Sequence, residues 1–142
     1  MIVDANILLY ATDSTSPHHG RSAAWLTEAL NGDVRVGLPW QSVAAFLRIS
    51  THPRITADPL TSAAAQQHVD RWLEASASWV PPATGRTMAL YRDLALRHHI
   101  TGNLVPDAHL AALALEYGVA VVSADTDFAR FPEVRWVNPL AE

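Results

Sequence analysis

The chain contains no cysteine. Disulfides, thiolate zinc sites and thiol nucleophiles are therefore excluded, and the composition is consistent with a reducing compartment. Lysine is absent as well: all 10 basic residues are arginine. A Walker-type phosphate loop requires its lysine and Schiff-base catalysis requires an amine, so both fall away. Phospho-acceptor receiver domains and most haloacid-dehalogenase-type phosphatases set a lysine beside their aspartates, and they are disfavoured on the same ground. A GC-rich genome is a sufficient source of the bias. No apolar run reaches the roughly 18–20 residues of a membrane span. No basic stretch precedes the opening MIVDANILLYA and an acid interrupts it, so the start reads as a strand of the fold rather than a secretory leader. An excess of positive charge is missing too. The formal net charge of −4 argues against a sequence-independent DNA coat, while leaving room for a local arginine-lined groove.

The 142 residues, 49% of them hydrophobic, suffice for one domain over residues 1–142 around a single core. There is no internal repeat, linker or low-complexity run. Strand-like and helix-like segments alternate, which predicts an α/β sandwich with a largely parallel sheet. The first strand is expected over residues 1–8. Ser16-Pro17 starts a helix that ends near Gly32. VRVGL supplies a second strand, and Pro39 opens a helix through WQSVAAFLRIS with Val43, Phe46 and Leu47 facing the core and Ile49 as a further candidate. THPRITADP is a loop, and Asp58-Pro59 begins the next helix, which carries Val69, Trp72 and Leu73. A short extended piece follows at residues 79–80. Thr84 caps a helix through Leu96, and Pro106 opens one that Gly118 ends. VAVVS is a strand buried on both faces, and VRWV is the final one.

Three aspartates flank these apolar runs: Asp4 in VDANILLYA, Asp107 in NLVPDAHLAALALEYG, and Asp125, with Asp127 behind it, in VAVVSADTDFARF. An isolated buried charge is costly, so carboxylates at such places must be hydrated, hydrogen-bonded or paired with a cation. Open α/β sheets bind ligands outside the carboxyl ends of their strands, where strand order switches. Right-handed crossovers can bring strands one and four together there. Asp4 would leave the first strand at that edge and Asp125 would follow the fourth. Asp107 would occupy the first turn of its helix, where the helix N-terminus is expected to keep it ionised. Converging acids of this kind match a hard divalent cation, Mg²⁺ or Mn²⁺, which takes oxygen ligands, retains water and is usually bound together with a phosphate. Singly, each acid has an ordinary structural explanation: a strand-ending turn at Asp4-Ala-Asn6, a first-turn acid at Asp107, an Asx turn at Asp125 and Asp127. Together on one sheet edge they point to a site for phosphodiester chemistry. Asp127 is either an outer ligand or a helix cap, and Asn6 and Ser123 either support the acids or shape turns.

Seven histidines invite a zinc reading. The adjacent pairs His18-His19 and His98-His99 diverge on a helix, however, there is no HExxH, and His109 sits on a different helical face from Asp107. Trp25 and Trp72 have the spacing of core residues, while Trp40 and Trp136 are open between packing and base stacking. Arg48, Arg54 and Arg86 border the expected loops, as phosphate contacts or as solvated surface residues.

The stretches VDANILLYA, LPWQSVAAFLRISTHPRI and PDAHLAALALEYGVAVVSADTDFARF together resemble a PIN domain of the VapC toxin type, over nearly the whole chain. The last stretch is the most specific: an acid, a helix, glycine, a buried strand, then DTDF. The resemblance implies a three-layer α/β/α sandwich with a mostly parallel sheet of about five strands. It also implies a Mg²⁺- or Mn²⁺-dependent endoribonuclease, a homodimer, held inactive by a VapB-type antitoxin in a bacterial cytoplasm, with secretion left open. Carried over by motif, Asp4 and Asp107 match the first and third acids of the family and Asp125 the fourth, with Asp127 as the alternative. The family's second acid, a glutamate in the helix after strand two, has no counterpart. That helix offers Gln41, Ser42, Val43, Ala44 and Ala45, and Glu28 lies in the preceding helix. Gln41 is the neutral residue there that can reach a metal or its water.

The expected function is thus a toxin ribonuclease acting on single-stranded or looped RNA, since a shallow acidic pocket needs an exposed phosphate. Trp, Leu and Ile between positions 25 and 60 would offer a groove to an amphipathic antitoxin helix. Two alternatives remain at this stage: a small-molecule phosphohydrolase, and a non-catalytic binding module that has lost its metal with the missing glutamate.

Overall fold

Ile2, Val3, Val121 and Val122 form the centre of the molecule, and their alternation sets its layering. The computed structural model describes residues 1–141. Its parallel strands are β1 (Ile2–Val3), β2 (Val36–Gly37), β3 (Ser78–Trp79), β4 (Val121–Val122) and β5 (Trp136–Val137), in the order β3-β2-β1-β4-β5. The register pairs Ile2 with Val121 and Val3 with Val122. Side chains alternate across a pleated sheet. Val3, Val36, Leu38 and Val122 accordingly bury against α1 (Ala5–Thr12), α2 (His19–Leu30), α3 (Trp40–Ser50) and α4 (Ser62–Glu74). Ile2 and Val121 bury on the other face with α5 (Gly85–His98) and α6 (Val105–Tyr117). The result is the expected three-layer sandwich. Gly37 lets the strands close up: a Cβ there would meet the Met1 carbonyl at 3.1 Å and Ile2 Cγ1 at 3.2 Å.

The first strand is shorter than expected. It stops at Val3, and residues 5–12 form α1 instead. An apolar run such as ILLY suits a strand or a buried helix equally by periodicity. Asp4 decides between them, because its side chain accepts from Ala5 N–H as an N-cap. Two helix starts also move. Ser16 Oγ accepts from His18 N–H at 3.1 Å and builds a turn, so α2 begins at His19. Thr61, rather than Asp58-Pro59, caps α4 by accepting from Ala64 N–H at 3.1 Å. Thr84 caps α5 as expected, and Gly118 ends α6 in the left-handed conformation at φ 65°.

Helices α5 and α6 run antiparallel. Thr84 and Thr87 both donate hydroxyl hydrogen bonds to Glu116, and the Tyr117 hydroxyl donates to the Pro82 carbonyl at 2.6 Å. The start of α5 therefore lies beside the end of α6. Asp107, at the other end of α6, is roughly 13 Å away along the helix axis. No described helix is long and apolar enough to cross a membrane.

Candidate metal centre

Strand order reverses between β1 and β4, which makes their carboxyl ends the switch point of the sheet. Asp4 leaves β1 there. Its Oδ1 accepts from Ala5 N–H at 2.7 Å, and its Oδ2 accepts from Ser123 Oγ at 2.7 Å and Asn6 Nδ2 at 3.2 Å. Burial raises the Asp4 pKa above the ordinary carboxylate range, opposed by the hydrogen bonds from Ser123 and Ala5. Ser123, fully buried, ties the two strand ends together. Its Oγ also accepts from Asn6 Nδ2 at 3.0 Å and from Asp125 N–H at 3.0 Å. The Asn6 side-chain Oδ1 accepts from Ala124 N–H at 3.1 Å. Asn6 and Ser123 thus hold the β1–α1 and β4 ends at fixed spacing.

Beyond Asp125 the chain makes a 3-10 turn over Thr126–Arg130, in which Asp125 Oδ1 accepts from Asp127 N–H at 2.8 Å. This is the Asx turn that was the structural explanation for the pair, yet the turn also carries both carboxylates towards α6. Asp107, Asp125 and Asp127 each place one oxygen within 4.8 Å of the others. Asp4 stands outside that trio but close enough to act on it electrostatically.

The helix N-terminus does not keep Asp107 in its ordinary range. Burial, then the charges of Asp125, Asp4 and Asp127, push it up to about 7. Four carboxylates sharing one edge repel one another, and a cation would relieve that repulsion. All the donors are hard oxygens, with neither sulfur nor imidazole in the trio, so the residues present fit an oxygen-seeking divalent cation.

A cleft of about 100 Å³ opens beside the trio, lined by Asp4, Asp107, Gln41, Ala45 and His109 among others. Both α3 positions that could stand in for an absent acid, Gln41 and Ala45, therefore border the site. The Gln41 amide nitrogen is buried with no hydrogen-bond partner among the described residues. His109 is half-buried and burial lowers its pKa, which favours the neutral ring.

The remaining sequence candidates lie elsewhere. Arg86, in the first turn of α5, is at the Glu116 end of the α5–α6 pair. Arg48 is in the last turn of α3, roughly 10 Å along the helix from Gln41, and Arg54 is in the turn that follows; both are exposed. Trp72 is 7% exposed within the core and Trp25 packs against it. Trp136 Nε1 donates to the Ser123 carbonyl at 2.9 Å, a support for the site from behind. His98 pairs with Glu133 at 2.7 Å. One contact was missed from sequence: Arg130 Nε reaches Asp127 Oδ1 at 3.3 Å. Its signal was the i, i+3 spacing within DTDFAR.

Comparison with known proteins agrees with this geometry. A family model described as PIN domain matches residues 1–134. Ribonuclease VapC37 of Mycobacterium tuberculosis is 48% identical over 142 residues, covering 99% of this chain and 97% of that protein. Among solved structures, VapBC2 from Rickettsia felis bound to a promoter DNA fragment superposes with a TM-score of 0.72 at 17% identity, covering 96% of each chain. A toxin-antitoxin complex from Klebsiella pneumoniae superposes at 0.64 with 14% identity, covering 99% of this chain and 98% of that one. At such identities the structures speak for the fold alone. The acids on the β1–β4 edge and the match along nearly the whole chain lead to one conclusion: this protein belongs to the PIN domain family.

Proposed function

We propose that the chain is a toxin endoribonuclease that uses Mg²⁺ or Mn²⁺ to hydrolyse RNA phosphodiesters. The observation that carries this is the convergence of Asp107, Asp125 and Asp127, with Asp4 beside them, on the switch point of the sheet. The near full-length likeness to a protein named as a ribonuclease supports the substrate class. Asp107, Asp125 and Asp127 would hold the cation, and Asp4 would border it through the cleft it shares with Asp107. When bound, the cation supplies positive charge against the scissile phosphate and acidifies water. A carboxylate not engaged by it can orient that water and accept its proton. Ser123 and Asn6 fix the Asp4 oxygens, so that this carboxylate is set in place before substrate arrives.

A VapB-type antitoxin is the partner this reading requires. A second cavity, of about 450 Å³, separates the end of α1 from the turn between α3 and α4. Leu9, Tyr10, Ile49, Ile55 and Leu60 line it beside Asp13, Ser14, Thr15 and Asp58. It draws only Ile49, Ile55 and Leu60 from the apolar residues expected between positions 25 and 60 and none of the tryptophans, and it would take an amphipathic antitoxin helix.

The test is cleavage of RNA by the purified full chain with added Mg²⁺ or Mn²⁺, stopped by EDTA and lost in Asp107→Asn. Cleavage that persists in EDTA would overturn the metal assignment. Expression alone should arrest bacterial growth, and co-expression with the adjacent open reading frame should restore it. Unimpeded growth at high levels of soluble, metal-replete protein would count against the toxin assignment.

A further inference from the structure

The first turn of α3 presents two side chains that the metal centre does not explain. Trp40 is 66% exposed, an unusual position for the largest apolar side chain. Three of the other tryptophans have a polar or aromatic partner. Trp72 packs against Phe46, Trp79 lies between Tyr117 and the Arg35 guanidinium, and Trp136 donates to Ser123. Trp25 is partly buried against the core. Next to Trp40, the Gln41 amide nitrogen is buried at the cleft without a partner. Buried polar groups are nearly always satisfied, so this donor, enclosed behind the cleft wall, would gain a partner if the side chain turned to an acceptor in the cleft.

Successive residues on a helix diverge by about 100°. Gln41 faces the cleft with Ala45 one turn behind it, and Trp40 stands to the side, on the rim. Ala45 contributes only a methyl group and leaves the floor beneath Gln41 open. This wall of the site carries no charge. It combines an amide side chain lining the cleft with an exposed indole on the adjoining helix position.

We infer that the first turn of α3 grips the nucleotide beside the scissile phosphate, with Trp40 stacking on its base and Gln41 donating to its sugar-phosphate backbone. The inference rests on the cleft being an RNA-cleaving site. It adds that the base next to the cut must be unpaired, because only an unstacked base offers its face to an indole. Stacking of this kind tolerates any base, so Trp40 supplies affinity for single strands rather than a sequence code. Gln41, which offers both a donor and an acceptor, can engage a phosphate oxygen or a ribose hydroxyl.

The experiment measures binding of a fluorescein-labelled, mixed-sequence single-stranded RNA of 12 nucleotides by anisotropy, with EDTA present and in the Asp107→Asn background, so that the strand stays intact. Trp40→Ala should weaken binding by about ten-fold and Trp40→Phe by less. Gln41→Ala should weaken it further in combination. In otherwise wild-type protein Trp40→Ala should raise KM more than it lowers kcat, and it should leave the Mg²⁺-induced rise in melting temperature unchanged. Trp40 is exposed and alanine favours helix, so the variant should fold. Unchanged RNA affinity and KM in Trp40→Ala, with wild type still cleaving RNA, would overturn the inference and leave the proposed function standing. Trp40-dependent RNA binding by a wild type that never cleaves would do the reverse. If Trp40→Ala instead dissociates a dimer while RNA affinity holds, the indole belongs to an interface between copies and the inference falls.

Discussion

Helix α6 carries an acid near each end, and the two behave in opposite ways. Asp107 lies in the first turn, where the helix dipole favours a negative charge, yet its pKa is pushed up to about 7. Glu116 lies in the last turn, where the dipole disfavours one, yet its pKa is lowered. Dipole effects at helix ends amount to roughly 0.3–1 kcal/mol, and in both places local partners outweigh them. At Glu116 the hydroxyls of Thr84 and Thr87 donate to the carboxylate. At Asp107 there is burial and three like charges, without a donor to offset them. The same residue class is thus satisfied by hydroxyl donors at one end of the helix and pressed by burial and like charges at the other. The two acids differ in whether the fold itself completes their hydrogen bonding, and a perturbed acid in a cleft is the candidate for function.

The largest effect should come from changing the Asp107 end, where the metal centre is proposed. Asp107→Asn or Asp4→Asn should reduce metal-dependent RNA cleavage by more than the roughly 10–100-fold seen when groups behind a metal ligand are removed. Glu116→Gln should leave cleavage unchanged. Initial rates at saturating Mg²⁺ measure both, and equal losses at the two ends would erase the distinction.

Adding an acid sharpens the contrast. Ala45 lines the cleft with Asp4 and Asp107, so Ala45→Glu adds a fifth carboxylate to this edge, beside the trio and Asp4. The Mg²⁺ concentration for half-maximal cleavage should fall about ten-fold, since an added carboxylate ligand strengthens divalent-cation binding. A requirement that stays put or rises would mean that this face of α3 does not approach the ion.

At the structural end, Thr87→Val removes the hydroxyl that accepts from Thr84 N–H at 2.9 Å and donates to Glu116. The capping-box N–H of Thr84 then loses its protein partner, and Glu116 loses one of its two hydroxyl donors. The expected cost is about 1–2 kcal/mol in urea denaturation, with kcat unaltered.

These two ends were not equally legible in sequence. The adjacency of strands one and four, the layering and the acid-bearing edges follow from apolar runs punctuated by glycine, proline and aspartate, whereas the full strand order is read only from the structure. Asp107 and Asp125 sat beside such runs and emerged as candidates for that reason. The Asx turn at Asp125 was also foreseeable, but its reach towards α6 depends on Ser123 and Asn6, residues 117 positions apart that bond across the sheet at 3.0 Å. What the dipole argument missed at Asp107 was non-local: the repelling charges arrive from β1 and from the turn after β4. Helix α1 was misread because ILLY satisfies both periods and only the cap at Asp4 discriminates. Arg86 was placed near the site by loop proximity in sequence, whereas the antiparallel α5–α6 pair carries it to the Glu116 end. Glu116 itself gave no signal, since its partners lie 29 and 32 residues earlier.

The smallest effect, and the most direct reading of the contrast, is on stability against pH without metal. Because burial and neighbouring carboxylates raise Asp107 to about 7, folding favours its protonated form. That contribution is fully present below the ordinary aspartate value of about 4 and is lost as pH rises through about 7. Asp4, raised by burial, acts in the same direction. Asp107 is half-exposed, so solvent screening should keep its share below about 1 kcal/mol. In EDTA, the melting temperature of wild type should therefore fall relative to Asp107→Asn between about pH 5 and about pH 8. A cation reverses the sign, since it binds the ionised carboxylate and competes with the proton. The Mg²⁺-induced rise in melting temperature should accordingly be larger at the alkaline end than at the acidic end. Wild type and Asp107→Asn curves that run parallel across this range would show that the acid is not held in want of a charge, and the difference between the two ends of α6 would have to be sought elsewhere.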